Sequence, residues 1–218
     1  MTRAYTAHLS RCMMRIETLV NALEENTYVL HEGHDVFVVD PGSNSQALMR
    51  ILAALEAPPK AVLLTHGHID HIQGLNDFLK RFQVPVWVHE ADAPMLYDAS
   101  LNLSQQLGMP YKLTEPATIE TFAMDTLIEI GALRVTVFTT PGHTSGGACY
   151  AIDKVVFTGD TLFYRSVGRT DFPGGSTKAL KRSVQKLMNA LPSHMRVLPG
   201  HGRATTLQDE QRYNPYLI

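Results

Sequence analysis

Thr65-His66-Gly67-His68-Ile69-Asp70-His71 places three imidazoles and one carboxylate within six residues, at the spacing H-x-H-x-D-H. The apolar run Ala61-Val62-Leu63-Leu64 before it reads as a buried strand. After it, Ile72, Leu75, Phe78, Leu79 and Phe82 recur at helical spacing. The donors therefore sit between a strand end and a helix start, a rigid place to hold an ion. Asp70 in a first helical turn also suits the positive end of the helix dipole. On extended chain His66 and His68 can converge on one ion, while Asp70 and His71 point elsewhere and can serve a second. A two-ion site is the natural reading. The bland alternative is a solvated polar loop that happens to contain histidines. Against it, such donors suit zinc, iron or manganese, and complementary donors recur downstream.

His143 lies in Thr140-Pro141-Gly142-His143-Thr144, Asp160 in Thr158-Gly159-Asp160, and His201 in Pro199-Gly200-His201-Gly202. Each follows a strand-like apolar run and is flanked by Gly or Pro turn signals. Together with the first stretch they make five histidines and two aspartates, all at strand ends.

Outside these stretches the pattern alternates strands and helices. Residues 14–20, 26–31 and 34–40 read as three strands, the last ending at Asp40-Pro41-Gly42. Asp40 is either a turn residue or a partner that orients a metal ligand. A helix over 47–55 is stopped by Pro58-Pro59. Residues 84–88 form a short strand ending at His89, a lone histidine read as structural. The stretch 92–121 has weak periodicity and reads as a short helix plus loops rimming the site. Tyr97, Tyr111 and Lys112 are its candidate substrate contacts, with solvated surface as the default. Strands follow at 126–130, 133–139, 148–152, 155–158 and 195–198. A helix opens at Ser176 and carries Leu180, Val184, Leu187 and Leu191 on one face.

A chain of 218 residues, 44% hydrophobic, accommodates one large domain or two small ones. Without linker or low-complexity tract, the expectation is an N-terminal extension of uncertain order over 1–13 and a single domain over 14–218. Net charge of -2 offers no basis for a nucleic-acid partner. No apolar run approaches the roughly 18 residues of a membrane span, and residues 1–13 lack the apolar core of a signal peptide. Cys12 and Cys149 are the only cysteines, which fits a reducing cytoplasm. Cys149 reads as a small buried hydrophobe. Oligomeric state is left open by the sequence.

The motifs THGHIDH, TPGHTSGG, FTGDTLF, SVGRTDFPGG and LPGHGRATTLQDEQRYNPYL run in that order from about Met14 to the C-terminus. In them the chain resembles metallo-β-lactamase-fold hydrolases, and among these the compact, single-domain type II glyoxalases, the hydroxyacylglutathione hydrolases. The resemblance implies an α/β fold, the four-layer αβ/βα sandwich. It implies two divalent ions, zinc foremost with iron or manganese as alternatives. His66, His68 and His143 would hold one ion. Asp70, His71 and His201 would hold the other, with Asp160 and a solvent hydroxide bridging the two; Asp70 would double as a catalytic carboxylate. The implied reaction is attack of that hydroxide on a small-molecule glutathione thioester of the S-lactoylglutathione type. No G-x-S-x-G elbow or triad signature offers a rival nucleophile.

Substrate recognition is where the pattern departs. Two-domain glyoxalases add a C-terminal helical domain with basic residues for glutathione, and the expectation is that this chain lacks one. The surviving match is Arg169, in Gly168-Arg169-Thr170-Asp171, where relatives place a basic glutathione contact; the alternative is a salt bridge to Asp171. A rival resemblance is to mononuclear-iron persulfide dioxygenases acting on glutathione persulfide, which bind one iron by two His and one Asp. TDFPGG and the terminal NPYL favour the hydrolase. A metal-binding protein without catalysis is a third reading.

Overall fold

A computed structural model describes residues 13–42 and 45–217. Cys12 and nearly all of the expected N-terminal extension lie outside them. In chain order the elements are β1 (Arg15–Val20), β2 (Asn26–Glu32), β3 (Asp35–Val39), α1 (Ser45–Ala54), β4 (Ala61–Leu63), α2 (Ile69–Ile72), α3 (Leu75–Arg81), β5 (Val86–His89), β6 (Ile119–Phe122), β7 (Thr126–Ile130), β8 (Leu133–Thr139), β9 (Ala148–Ile152) and β10 (Val155–Gly159). There follow β11 (Leu162–Phe163), β12 (Ser166–Val167), α4 (Thr177–Ala190), β13 (Arg196–Pro199), β14 (Thr205–Thr206) and α5 (Leu207–Tyr213). A 3-10 helix spans Ala93–Tyr97.

The strands form two six-stranded sheets, ordered β1-β2-β3-β4-β5-β6 and β14-β13-β10-β9-β8-β7. Because strand side chains alternate between faces, each sheet sorts its residues into two cores. Phe37 and Val39 of β3 point into the space between the sheets, where they meet Val135, Tyr150, Phe157 and Leu198. Val36 and Val38 point the other way, against Leu48, Leu52, Phe78 and Leu79 of the helices. On the far side Cys149, Val156 and Val197 pack under Val184 and Leu187 of α4. The layering is helix, sheet, sheet, helix. This is the four-layer αβ/βα sandwich expected from the motifs, and burial on both faces explains why its central strands are near-continuous apolar runs.

Several elements differ from the sequence expectation. The helix foreseen over 72–82 is two pieces, because Gly74 turns its N–H to the Pro41 carbonyl (2.9 Å). β6 lies inside the stretch read as loops, and its apolar content is too slight to stand out. The two-residue strands β11, β12 and β14 are too short to carry a period, and α5 buries only Leu207 and Glu210. Where α4 was expected it begins, with the Ser176 hydroxyl accepting from the Ala179 N–H. No helix among the described residues is long and apolar enough to cross a membrane.

Two buried tyrosines lock the strands that deliver the site. Tyr150 Oη donates to the Leu64 carbonyl at 2.7 Å, just before the first histidine, and Tyr28 Oη donates to Pro199 at 2.7 Å, just before the last. Each hydroxyl crosses from one sheet to the other. Loss of such a fully buried aromatic costs about 3–5 kcal/mol, so strand ends that carry metal donors are tied to the densest part of the core.

Candidate metal centre

The seven donors converge at the ends of β4, β8, β10 and β13 and in α2, and His68, Asp70, His143, Asp160 and His201 among them line a cleft of about 620 Å³. Convergence this close needs backbone without side chains between the donors. A Cβ on Gly200 would stand 2.4 Å from Asp160 Oδ1 and 2.7 Å from His71 Cε1, and one on Gly168 would stand 1.9 Å from the Asp160 carbonyl. These two glycines let Asp160 sit at the middle of the group.

Three imidazoles form one cup. The rings of His66, His68 and His143 stand edge to face, with centroids 4.7 to 4.8 Å apart, and all three are buried. Burial pushes His66 well below the ordinary imidazole value, with His71 and the other rings adding to it, and pushes His68 down to about 3, seconded by His143. Both therefore present free lone pairs, the form that binds a metal. His68 Nδ1 and His143 Nε2 face each other at 2.9 Å. His66 Nε2 is buried without a hydrogen-bond partner. Such an orphan is unusual for a buried polar atom, and an ion in the cup would satisfy all three nitrogens.

The second cup mixes imidazole with carboxylate. His201 Nε2 lies 3.2 Å from Asp70 Oδ2 and 3.7 Å from Asp160 Oδ1; His71 Nε2 lies 3.4 Å from Asp160 Oδ1. Burial alone would raise Asp70 and Asp160, but the facing histidines outweigh it and hold both carboxyls below the usual range. Burial would likewise depress His71, yet Asp70, Asp40 and Asp160 together hold a proton on it well above the ordinary value. The negative charge that retains that proton is the charge a divalent cation would meet. His71 Nε2 and Asp160 Oδ1 are themselves buried without hydrogen-bond partners. Asp160 joins the cups: Oδ2 faces His143 Nε2 at 3.3 Å while Oδ1 faces His71 and His201. The donor set fits two ions sharing a carboxylate.

Around the donors stand groups that aim them. Asp40, at φ 48°, accepts from the Thr65 N–H (2.7 Å) and hydroxyl (2.6 Å) and bonds His71 Nδ1 at 2.9 Å. Both sequence readings meet in it: its carbonyl accepts from the Gly42 N–H across the turn (2.7 Å) while its carboxylate orients His71. Asp92 accepts from the Gly67 N–H, the Thr144 hydroxyl and the Gly146 N–H, which pins the two loops of the imidazole cup together. Asn21 donates to the Asp70 carbonyl and to Glu25, whose carboxyl is buried and pushed well up by that burial. Nothing in the sequence marks Asp92, Glu25 or Asn21, each of them a polar residue in a turn-like stretch.

A sequence profile of the metallo-beta-lactamase superfamily matches residues 20–201. The chain belongs to that superfamily. Among curated relatives it is 34% identical over 200 residues to a probable metallo-hydrolase, YqgX, of Bacillus subtilis, covering 91% of this chain and 94% of that one. It is 30% identical over 215 residues to the hydroxyacylglutathione hydrolase GloC of Haemophilus influenzae, covering 94% and 98%. Among solved structures of the superfamily, the B3 metallo-beta-lactamase BLEG-1 superposes with a TM-score of 0.87 at 34% identity, covering 94% of this chain and all (100%) of that one. TTHA1623 in a di-iron-bound form superposes at 0.81 with 34% identity, covering 92% and 98%.

Beyond the donors, the cleft wall is Leu23, Ile69, Leu103, Gln106, Leu107, Phe163, Val167, Arg169, Phe172 and Pro173. Tyr97, Tyr111 and Lys112 are not part of it; Tyr97 is exposed elsewhere and Tyr111 packs on the helix-side core. His89 accepts from the Ala91 N–H and meets the Phe122 ring edge to face, away from the donors. Arg169 does reach the cleft, but its guanidinium is held in a two-bond fork by Asp171 (2.7 and 2.6 Å) and lies 3.9 Å over the Phe172 ring.

Proposed function

We propose that this chain is a binuclear metal-dependent hydrolase of glutathione thioesters of the S-lactoylglutathione kind. What carries the reading is the pair of donor cups joined by Asp160 on the floor of a cleft whose described lining includes no hydroxyl, thiol or amine. With no such nucleophile at hand, the attacking oxygen comes from solvent. Similarity to GloC over nearly the full length of both chains supports a thioester as substrate. Zinc suits an imidazole-rich set, and the di-iron form of TTHA1623 keeps iron as the alternative. Two divalent ions in these cups would bring a water's pKa down towards about 7 and polarise a carbonyl.

The chain's own residues do the positioning. The Arg169 and Glu24 carbonyls can only accept, so the Nδ1 atoms of His143 (2.7 Å) and His201 (3.0 Å) carry protons and their Nε2 atoms face the centre. Asp40 orients His71 the same way. Asp160 and Asp70 are kept ionised by the facing histidines. A departing thiolate, with a solution pKa of about 8.5, needs no proton donor. Cys149 is no rival nucleophile: burial pushes its thiol up to about 11. Among the described residues, Ser145 Oγ donates to the Gly174 carbonyl and bonds no imidazole.

The test is metal analysis of the purified protein, with thiol release from S-lactoylglutathione measured in air and without oxygen. Two metal equivalents and equal rates in both atmospheres are expected. One metal per chain, with oxygen uptake on glutathione persulfide, would move the protein to the dioxygenases. Cleavage of a chromogenic β-lactam without thioester hydrolysis would move its substrate class to cyclic amides.

A further inference from the structure

The segment from Asp98 to Tyr111 has no regular secondary structure, yet it is built. Asn102 and Ser104 are fully buried polar residues within it. Asn102 Nδ2 donates to the Met95 and Tyr111 carbonyls, and its Oδ1 accepts from the Ser104 N–H. Ser104 Oγ donates to Ala99 and accepts from the Tyr111 N–H. The Asn102 carbonyl accepts from the Ile69 N–H at 2.9 Å, which fastens the segment to the metal loop one residue before Asp70.

Between these two anchors stands Leu103, at φ 69°. The other non-glycine residues with positive φ among those described are Glu24, Asp40, Asp153 and Arg165. Leu103 is the sole apolar one. A branched hydrophobe in the left-handed region is disfavoured, and Gly or Asn would sit there more cheaply. Strain of this kind persists where the side chain is used. Here the half-buried Leu103 lines the cleft, in a wall that also includes Leu107, Phe172 and Pro173.

We infer that this loop is the acyl-specificity element, and that the enzyme prefers thioesters whose acyl group is apolar over the short hydroxyacyl of S-lactoylglutathione. The inference rests on the thioester reading above. Glutathione itself, with two carboxylates and an ammonium, gains nothing from a wall of Leu103, Leu107 and Pro173. A saturated acyl chain does, by the area it removes from water. Arg169, the one arginine or lysine among the described cleft residues, is already paired with the Asp171 carboxylate.

The test uses the metal-loaded enzyme with two pairs of ligands. S-hexanoylglutathione and S-lactoylglutathione report kcat/KM, and the inert thioethers S-hexylglutathione and S-methylglutathione report binding by calorimetry. The wild type should favour the six-carbon member of each pair by about ten-fold or more. Leu103→Gly, which relieves the backbone strain, should reduce both ratios by about ten-fold, and the exposed Leu107→Ser should reduce them less. Thioester hydrolysis with no chain-length preference, or a preference that both variants keep, overturns the inference and leaves the hydrolase reading standing. Tighter S-hexylglutathione binding that Leu103→Gly abolishes, without thioester cleavage, sustains the apolar subsite and overturns the hydrolase reading instead. Failure of both pairs removes both.

Discussion

The two donor cups share a carboxylate and little else. In the first, three imidazoles are buried, His66 and His68 are held neutral by that burial, and the group behind them, Asp92, touches only loop backbone and a threonine hydroxyl. In the second, two histidines stand among Asp70 and Asp160, and the group behind them, Asp40, bonds the His71 ring directly. One site is made selective by shape and by the cost of charging its rings. The other is made attractive by excess negative charge. An ion in the first cup would be held by geometry, one in the second largely by Coulomb attraction in a water-poor setting. The two should therefore respond differently to the same kind of damage.

The hardest blow to the comparison falls where the cups meet. Asp160→Asn keeps the shape but removes the charge both sides use, and it turns an amide N–H toward one of them. Several kcal/mol of charge stabilisation is at stake, so kcat/KM should fall about a thousand-fold or more, with metal content dropping in both cups. Circular dichroism should be unaltered, since Asp160 hangs from a strand end rather than within the core. Near-normal activity with two metals bound would mean that the cups work independently.

A finer cut separates them. Asp40→Asn can no longer accept from Thr65 on one side and hold His71 on the other without a mismatch. Loss of such an orienting partner weakens metal binding by about ten- to a hundred-fold, and here the loss should be larger in the mixed cup, since Asp40 reaches the imidazole cup only through Thr65, whose hydroxyl meets His66 Nδ1 at 3.2 Å. Asp92→Asn should instead loosen the imidazole cup, and by less, because it acts through backbone. Stepwise chelator titration of the zinc-loaded variants reads both. If either substitution weakens the two sites equally, the cups are not separately supported.

What could be read beforehand follows from range in sequence. Four donors lie within six residues, and the others each follow an apolar run, so strand ends and donor chemistry were legible together. The layers were legible because β3, β4, β9 and β10 are buried on both faces and show it in composition. The supports were not. Asp92 meets Gly67 across 25 positions, and Glu25 is an acid buried at the start of a strand, which no periodicity announces. Choosing Tyr97, Tyr111 and Lys112 as rim residues by side-chain type missed that Asn102 and Ser104 decide which way the loop faces. Leu103 carries no outward sign, since its role comes from a backbone angle.

The smallest effect is expected at Arg169, which the sequence left open between substrate contact and brace. Both its hydrogen bonds to Asp171 are short, but the pair is in solvent, where such pairs contribute little. Asp171 is in turn held down to about 2 by the guanidinium. A substrate carboxylate would have to compete with Asp171 for the same fork. Replacement by Ala leaves the Arg169 carbonyl in place, so the bond that orients His143 survives. Binding far from the scissile carbonyl is felt alike in ground and transition states, so Arg169→Ala should raise KM for a glutathione thioester by about three- to ten-fold and spare kcat. Asp171→Ala then decides between the roles. If Arg169 grips substrate and Asp171 competes for it, freeing the guanidinium lowers KM. If the pair braces the loop over Phe172, both substitutions lower the melting temperature together and KM moves the same way in each.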